Sequence, residues 1–577
     1  MRIQALQIDN YRGIKHCNIQ FPEDSRMVFL LGAGDTTKST ILNAIQWLLW
    51  PSWNLIAVDT DFYKKDTNQC IQILGTFSEI PEELVSEEKF GLYLRKSNVD
   101  LDGESDDEPV DGQPICLSLK LTIDSSLEPN WNVVCNRKDP ASISNTDRRK
   151  MSCGVIGDNC SKDLIWGKNS ILQKYADSRG VLHEAYMQAI REAAKNANLT
   201  TLDKISEKVL DIGKIYGIEL SQNITNKLIY QNGSYTTNVG LFDGDVPLSQ
   251  LGSGSQRLLS MGLNVGKTEE GSILLVDEIE TGLEPYRLKS LINTLRNNCC
   301  TTGQVIATTH SPIAVAEAVL RELLFITNGD GETNAVRMEG DDSEINFFQG
   351  QVRGNAESFL TKRLIVCEGK TEVGFIRALD EYLQKNENWR MAYYGTSTFI
   401  GGGQNVLRCA ELLHNCGYEV CVLMDSDKET EEAKKCSLRN IGIQVFDWNK
   451  PYAIEQQIYA EATNEVAEKL ISIAVKDKGV DSIKSMLSGN SGVKFVGDLP
   501  SLIDTITADQ KVNIGKAAMD KNHPWYKRID LGEAVGNVVF ENYDSFPVDG
   551  RIRKVVSQII AWVKRSDRTG SRTSIEC

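Results

Sequence analysis

At 577 residues, with 41% hydrophobic side chains and a formal net charge of −16, the chain is long enough for about three to four domains with ordinary cores. No run of 18 apolar residues offers a bilayer span, and the first residues lack the basic start, apolar run and cleavage site of a signal peptide. The fourteen cysteines show no paired C-x-x-C spacing, so a cytoplasmic protein with reduced thiols is expected, and five scattered histidines argue against zinc.

The acidic charge is uneven. Residues 1–360 hold 34 Lys and Arg against 49 Asp and Glu, whereas residues 361–577 hold 29 against 30. An acidic run spans 102–109, and basic residues from Arg551 to Arg572 form either a phosphate-facing tail or a solvated helix.

In chain order, residues 1–10 alternate in polarity and turn at Tyr11-Arg12-Gly13 into a second alternating stretch. Met27 to Leu31 reads as a buried strand, followed by a glycine-bearing loop and a helix from Ser39 to Trp50. Residues 69–77 and 115–124 read as strands. From about 168 to 236 the pattern turns helical, with Leu172, Tyr175, Leu182, Ala185 and Ile190 on one face and a second run from Leu202 to Tyr216. An inserted helical hairpin or arm is expected there, serving dimerisation or forming a packed subdomain. Residues 272–277 and 304–307 read as buried strands. From Arg363, strands at 363–367, 419–424 and 442–446 alternate with helices, which predicts a mostly parallel α/β unit.

The loop Gly32-Ala33-Gly34-Asp35-Thr36-Thr37-Lys38-Ser39 nearly matches the phosphate loop G-x-x-x-x-G-K-[ST]. Gly32, Gly34, Thr36, Thr37, Lys38, Ser39 and Thr40 form the candidate cradle. Lys38 would reach the β- and γ-phosphates and Ser39 would hold Mg²⁺. Thr37 stands where the pattern has glycine, so a positive φ there would carry strain. Strand 272–276 delivers Asp277 for Mg²⁺ and Glu278 to orient a water. Ser253, Gly254 and Gln256 lie in a glycine-serine loop that opens a helix, and His310 follows a strand as a candidate phosphate sensor.

Glu368-Gly369-Lys370-Thr371-Glu372 follows one strand and Asp425-Ser426-Asp427 another. Carboxylates gathered at neighbouring strand ends make a hard oxygen site suited to Mg²⁺ or Mn²⁺. Glu455 is a further candidate ligand, Lys527 a candidate partner for the scissile phosphate, His523 a candidate proton shuttle, and Gly401-Gly402-Gly403 permits close backbone approach.

The opening MRIQALQIDNYRGI, the loop GAGDTTKST, LGSGSQ, SILLVDEIETGLEP and ATTHSP resemble the ABC-type ATPase heads of the SMC/RecF class. That resemblance implies ATP sandwiched between two heads, with Ser253 to Gln256 of one touching the nucleotide of the other. With EGKTE and MDSD added, the whole chain resembles the OLD (overcoming lysogenisation defect) family, an ABC-type ATPase followed by a Toprim domain. The family implies an α/β fold: an ABC head in two parts, 1–165 and 239–350, around a helical arm at 166–238, then a Rossmann-like Toprim domain at 358–577. It implies a two-metal DNA endonuclease regulated by ATP, with Glu368, Glu372, Asp425, Asp427 and Glu455 as metal ligands and Lys527 assisting the phosphate. It also implies a homo-oligomer, a dimer or dimer of dimers, acting on DNA without membrane association. The layout is similar to anti-phage effectors of the Gabija and retron kinds, which implies a defence role beside a helicase-like protein or a reverse transcriptase with its RNA–DNA element. Two rival readings stand: a topoisomerase, which needs a positioned nucleophilic tyrosine, and an ATP-gated nucleic-acid scaffold without cleavage.

Overall fold

The computed structural model describes residues 1–96, 107–110, 112, 114–151, 153–156, 165–166, 172, 203–218, 220, 224–229, 238–268, 272–298, 303–426, 432–487, 492–520 and 522–565. The chain divides into two compact units, Met1–Ala356 and Glu357–Cys577.

The first unit is built on one continuous mixed sheet. Met27–Leu31, whose five residues are all buried, runs parallel to Gln304–Thr308 on one side and to Leu323–Gly329 on the other. Beyond Gln304–Thr308 follow the parallel strands Ile273–Val276 and Gly154–Ile156. Unbroken apolar runs suit these central strands because both faces of a parallel sheet are covered. On the other side Glu332–Val336 pairs antiparallel with Leu323–Gly329 and parallel with Ile14–Gln20, from which an antiparallel wing continues through Arg2–Tyr11, Ile71–Ser78, Ile115–Ile123, Pro129–Cys135 and Lys138–Ser142. Helix Lys38–Leu48 buries Ile41, Leu42, Ala44, Ile45 and Leu48, positions spaced for one helical face.

Within 166–238 the described residues include helix Asp203–Ile215 and strand Ile224–Ile229, which pairs with Asn238–Asp243 in a separate small sheet. That helix meets helix Ser253–Thr268 at Gly262, where a Cβ would lie 2.2 Å from Ile212 Cγ2. Tyr175, Leu182, Ala185 and Ile190, on which the arm was expected, lie outside the described residues.

The second unit carries a four-stranded, wholly parallel sheet in the order Thr396–Ile400, Arg363–Cys367, Glu419–Met424, Gln444–Asp447. The chain leaves the central strand first toward one edge and then toward the other. The strand order therefore reverses between Arg363–Cys367 and Glu419–Met424, and a crevice opens at their C-terminal ends, where open α/β sheets bind ligands. Glu368 and Asp425 are the residues that follow those two strands.

Helix Lys370–Glu387 lies backbone to backbone against helix Ile529–Glu541. A Cβ on Gly374 would be 2.3 Å from the Ile529 carbonyl oxygen, and one on Gly532 would be 2.5 Å from that of Thr371. Phe375, Trp448 and Phe540 fill the core beside this contact. Among the described residues no helix is long and apolar enough to cross a membrane.

Candidate functional site

The phosphate loop links strand Met27–Leu31 to helix Lys38–Leu48. Thr37 adopts φ 65°, ψ 12°, so the position that ordinarily takes glycine does require the left-handed region. Its hydroxyl donates to the Thr36 carbonyl at 2.6 Å and lies 3.1 Å from Thr333 Oγ1. Lys38 folds back into the loop, its Nζ 2.9 Å from the Gly32 carbonyl, 2.6 Å from that of Ala33 and 3.2 Å from Thr36 Oγ1. Burial pulls its pKa down to about 8 despite the neighbouring Asp277 and Asp35.

Ser39 Oγ donates to Asp277 Oδ1 at 3.0 Å, so the two residues expected to share Mg²⁺ meet. Thr308 Oγ1 donates to the same carboxylate oxygen at 2.6 Å and accepts the Glu278 N–H at 2.8 Å. Glu278 has φ 47° and accepts from Thr281 Oγ1 at 3.0 Å. Thr40 is half-buried in the first helical turn. His310 is exposed, and its N–H donates to Glu280 Oε1 at 2.5 Å while Thr309 Oγ1 donates to Glu280 Oε2 at 2.6 Å. Sequence reasoning missed Glu280; its signal was a second glutamate two residues after Glu278.

Ser253 begins its helix and Gly254 packs on Gly282, whose carbonyl oxygen would be 2.2 Å from an added Cβ. Gln256 Nε2 donates to the Ser249 and Leu251 carbonyls at 2.9 and 2.7 Å, so this side chain folds its own loop. Arg257, also missed, donates to the carbonyls of Asp277 and of Glu278, the latter at 2.7 Å.

In the second unit a carboxylate oxygen of Glu368 accepts the Asp425 N–H at 3.0 Å. Glu372 Oε2 accepts the Gly369 N–H at 2.9 Å, and Asp425 Oδ1 accepts the Ile454 N–H at 2.9 Å. Ile454 opens helix Ile454–Glu461; Glu455 is the next residue along it, and only 5% of it is exposed. Burial, then the charges of Glu455 and Glu368, push the Glu372 carboxyl up to about 8. Burial, then Glu372, Glu455 and Glu368, raise Asp425 well above the carboxylate range. Buried Glu372 and Asp425 thus feel each other's charge and those of Glu368 and Glu455, a repulsion that a divalent cation relieves.

This donor set is all hard oxygen and fits Mg²⁺ or Mn²⁺. Among the described residues no three His, Cys, Asp or Glu side chains are arranged so as to hold a metal ion by themselves. The backbone amides occupy several of their oxygens instead. Asp427 lies outside the described residues.

Gly403 donates its N–H to the Glu368 carbonyl at 2.8 Å, so the triple-glycine loop does run against the site. Lys527 is exposed and follows Tyr526, whose carbonyl accepts from Thr371 Oγ1 at 3.1 Å; Thr371 is the neighbour of Glu372. His523 is exposed, its N–H donating to Asp520 Oδ1 at 2.9 Å in a turn. Of the basic tail, Arg551 pairs with Asp447, Arg553 with Asp544 and Lys564 with Glu387; Arg568 and Arg572 lie outside the described residues. Tyr459 and Tyr526 are buried, with hydroxyls 2.8 Å apart and pKa values raised by burial, a poor setting for a nucleophile.

Residues 1–238 match the AAA ATPase domain family. Residues 162–316 match an AAA-domain family whose description names the AbiEii toxin of a type IV toxin–antitoxin system. Residues 359–427 match the TOPRIM domain of overcoming lysogenization defect protein-like proteins. No curated protein matches the chain. Similar solved structures include an Smc head bound to the C-terminal winged-helix domain of ScpA, at 15% identity and TM-score 0.38 over 60% of this chain and 99% of that one. Another is an Smc head with an extended coiled coil bound to the C-terminal domain of ScpA from Pyrococcus furiosus, at 13% identity and TM-score 0.37 over 61% and 99%. The SMC head domain from Thermotoga maritima follows at 15% identity and TM-score 0.30 over 59% and 100%. The chain thus joins, on one polypeptide, a segment similar to AAA ATPase domains and a segment similar to the TOPRIM domain of overcoming lysogenization defect protein-like proteins.

Proposed function

We propose that the chain is an ATP-regulated, divalent-metal-dependent DNA endonuclease that acts as an effector of bacterial anti-phage defence. The observation that carries the nuclease reading is the meeting of Glu368, Glu372, Asp425 and Glu455 at the switch point of a parallel sheet. Together with Asp427 they would hold Mg²⁺ or Mn²⁺. Bound there, the metal supplies Lewis acidity toward the phosphodiester and lowers the pKa of water.

The chain's own residues do the positioning. The Asp425 N–H holds the Glu368 carboxylate, and the Gly369 N–H holds that of Glu372 in the first turn of helix Lys370–Glu387. Lys527, exposed on the turn tied to Thr371, would meet the phosphate and offset its charge. In the ATPase unit, nucleotide phosphates would replace the Gly32 and Ala33 carbonyls as partners of Lys38. A second head would bring its own Ser253 and Gly254 to that nucleotide, making the working form a dimer or dimer of dimers. The defence role rests on the OLD-family layout and its likeness to Gabija and retron effectors, whose helicase-like or reverse-transcriptase partners mark the class of protein expected beside it.

The deciding experiment is cleavage of supercoiled plasmid with Mg²⁺ or Mn²⁺ in the presence of ATP, ADP or no nucleotide, using wild type, K38A and D425A. Loss of cleavage in D425A and an altered nucleotide response in K38A support the reading. Wild-type cutting by D425A overturns the nuclease assignment. The burial of Tyr459 and Tyr526 leaves the topoisomerase reading without a nucleophile at those two positions.

A further inference from the structure

Asp447 ends strand Gln444–Asp447 in register with Met424, so it sits at the same end of the sheet as Asp425. By position it would be one more acidic ligand. Its carboxylate is instead enclosed by cations. Lys435 Nζ is 3.1 Å from Oδ2, Arg551 Nη2 is 2.6 Å from Oδ1, and Arg439 Nη2 is 3.6 Å from Oδ2. Arg551 Nε also donates to the Asp447 carbonyl at 2.7 Å.

Lys435 does more than neutralise that acid. Only 1% exposed, it places the same Nζ 3.2 Å from the Asp425 carbonyl oxygen and 3.4 Å from Ser426 Oγ. The turn that presents Asp425 is thus pinned from behind. From the other side, the Arg551 main-chain N–H donates to Glu461 Oε1 at 2.6 Å, and Glu461 closes the helix that carries Glu455. Asp425, Lys435, Asp447, Arg551 and Glu461 form one connected path between the two elements that bring Asp425 and Glu455 together.

We propose that Lys435, held by Asp447 and Arg551, is a positioning residue that fixes the Asp425 turn against the Glu455 helix and so sets divalent-metal affinity. The inference rests on the metal-site reading above. A buried lysine in an ion pair contributes little net stability compared with an apolar side chain of similar volume. What it supplies is a fixed direction for a carbonyl and a carboxylate, the service that groups behind metal ligands perform.

The test is direct Mn²⁺ binding by calorimetry or electron paramagnetic resonance, without DNA, on the full chain. K435M keeps the side-chain volume and leaves Asp447 paired with Arg551 and Arg439. It is expected to weaken Mn²⁺ binding about 10- to 100-fold. D447N, which loosens the hold on Lys435, is expected to weaken it less. K564A, which breaks the Lys564–Glu387 pair in the same unit, should bind Mn²⁺ as wild type does.

Folded K435M and D447N that both bind within about twofold of wild type overturn the inference. So does an equal loss in K564A, which would assign the effect to general loosening. Should K435M fail to fold, D447N decides alone, and wild-type affinity there overturns the proposal. A wild-type chain that binds no Mn²⁺ overturns the metal reading and this inference with it; unchanged variants beside a binding wild type overturn only the latter.

Discussion

Asp425 and Glu368 are joined across neighbouring strand ends by a 3.0 Å hydrogen bond from the backbone N–H of the one to the carboxylate of the other. Replacing Asp425 with Ala leaves that N–H and its strand in place and removes only the carboxylate. D425A is therefore expected to lose plasmid cleavage by on the order of 10²-fold or more while still binding ATP. Parallel cleavage and nucleotide-binding assays on the purified variant check both halves.

The crowding of acids makes metal-free stability depend on pH. Glu372 has its folded-state pKa raised from near 4.5 to about 8, so the folded chain holds this proton more tightly than the unfolded chain does. The contribution is complete below about 4.5 and is lost as pH rises toward about 8. In EDTA the Toprim unit should melt about 5 °C or more lower at pH 8 than at pH 5, with Mg²⁺ restoring it at pH 8. E372Q, which has no proton to lose, should flatten that difference. Equal melting of wild type at the two pH values in EDTA would contradict the shared pocket.

Lys38 is buried among carbonyls with its pKa near 8, whereas a nucleotide would surround it with negative charge and raise that value. ATP binding at pH 8.5 should therefore take up protons. Calorimetry in buffers of different ionisation enthalpy reads that uptake, and K38M should abolish it. A wild-type binding heat independent of buffer would show that Lys38 does not change partners.

Thr37 carries a left-handed backbone that costs a β-branched residue about 1–2 kcal/mol. T37G should relieve more than it forfeits in the 3.1 Å contact with Thr333, raising resistance of the ATPase unit to urea. T37V keeps the strain and loses the hydroxyl, so it should be destabilised by about 1 kcal/mol. Urea unfolding of the two variants beside wild type gives the order; the reverse order refutes the strain argument.

Much of this was legible in the chain itself. The apolar runs at Met27–Leu31, Arg363–Cys367 and Glu419–Met424 are strands because parallel sheets bury both faces, and Glu368 and Asp425, just beyond the last two, fall at one end of their shared sheet because those strands run parallel. Residues whose roles arise from long-range geometry were not legible. Glu280 clasps Thr309 and His310, which stand about thirty positions away, and Arg257 reaches the carbonyls of Asp277 and Glu278. Lys435 sits in helix Glu432–Asn440, rich in charges of both signs, and only the end of strand Gln444–Asp447 shows why it is buried. The strand Ile224–Ile229 follows a helical pattern and is fixed by pairing with Asn238–Asp243, which no local periodicity reports.

The glycine contact between helices Lys370–Glu387 and Ile529–Glu541 has a mechanical consequence. With Gly374 and Gly532 each facing a carbonyl oxygen at a distance no side chain could occupy, the two rods are locked in register and cannot slide past one another. Glu372, in the first turn of one rod, and Lys527, two residues before the other, are then held in a fixed relation by the same contact and by the Thr371–Tyr526 hydrogen bond. Any widening of the crevice beside Glu372 would then have to come from elements other than this helix pair.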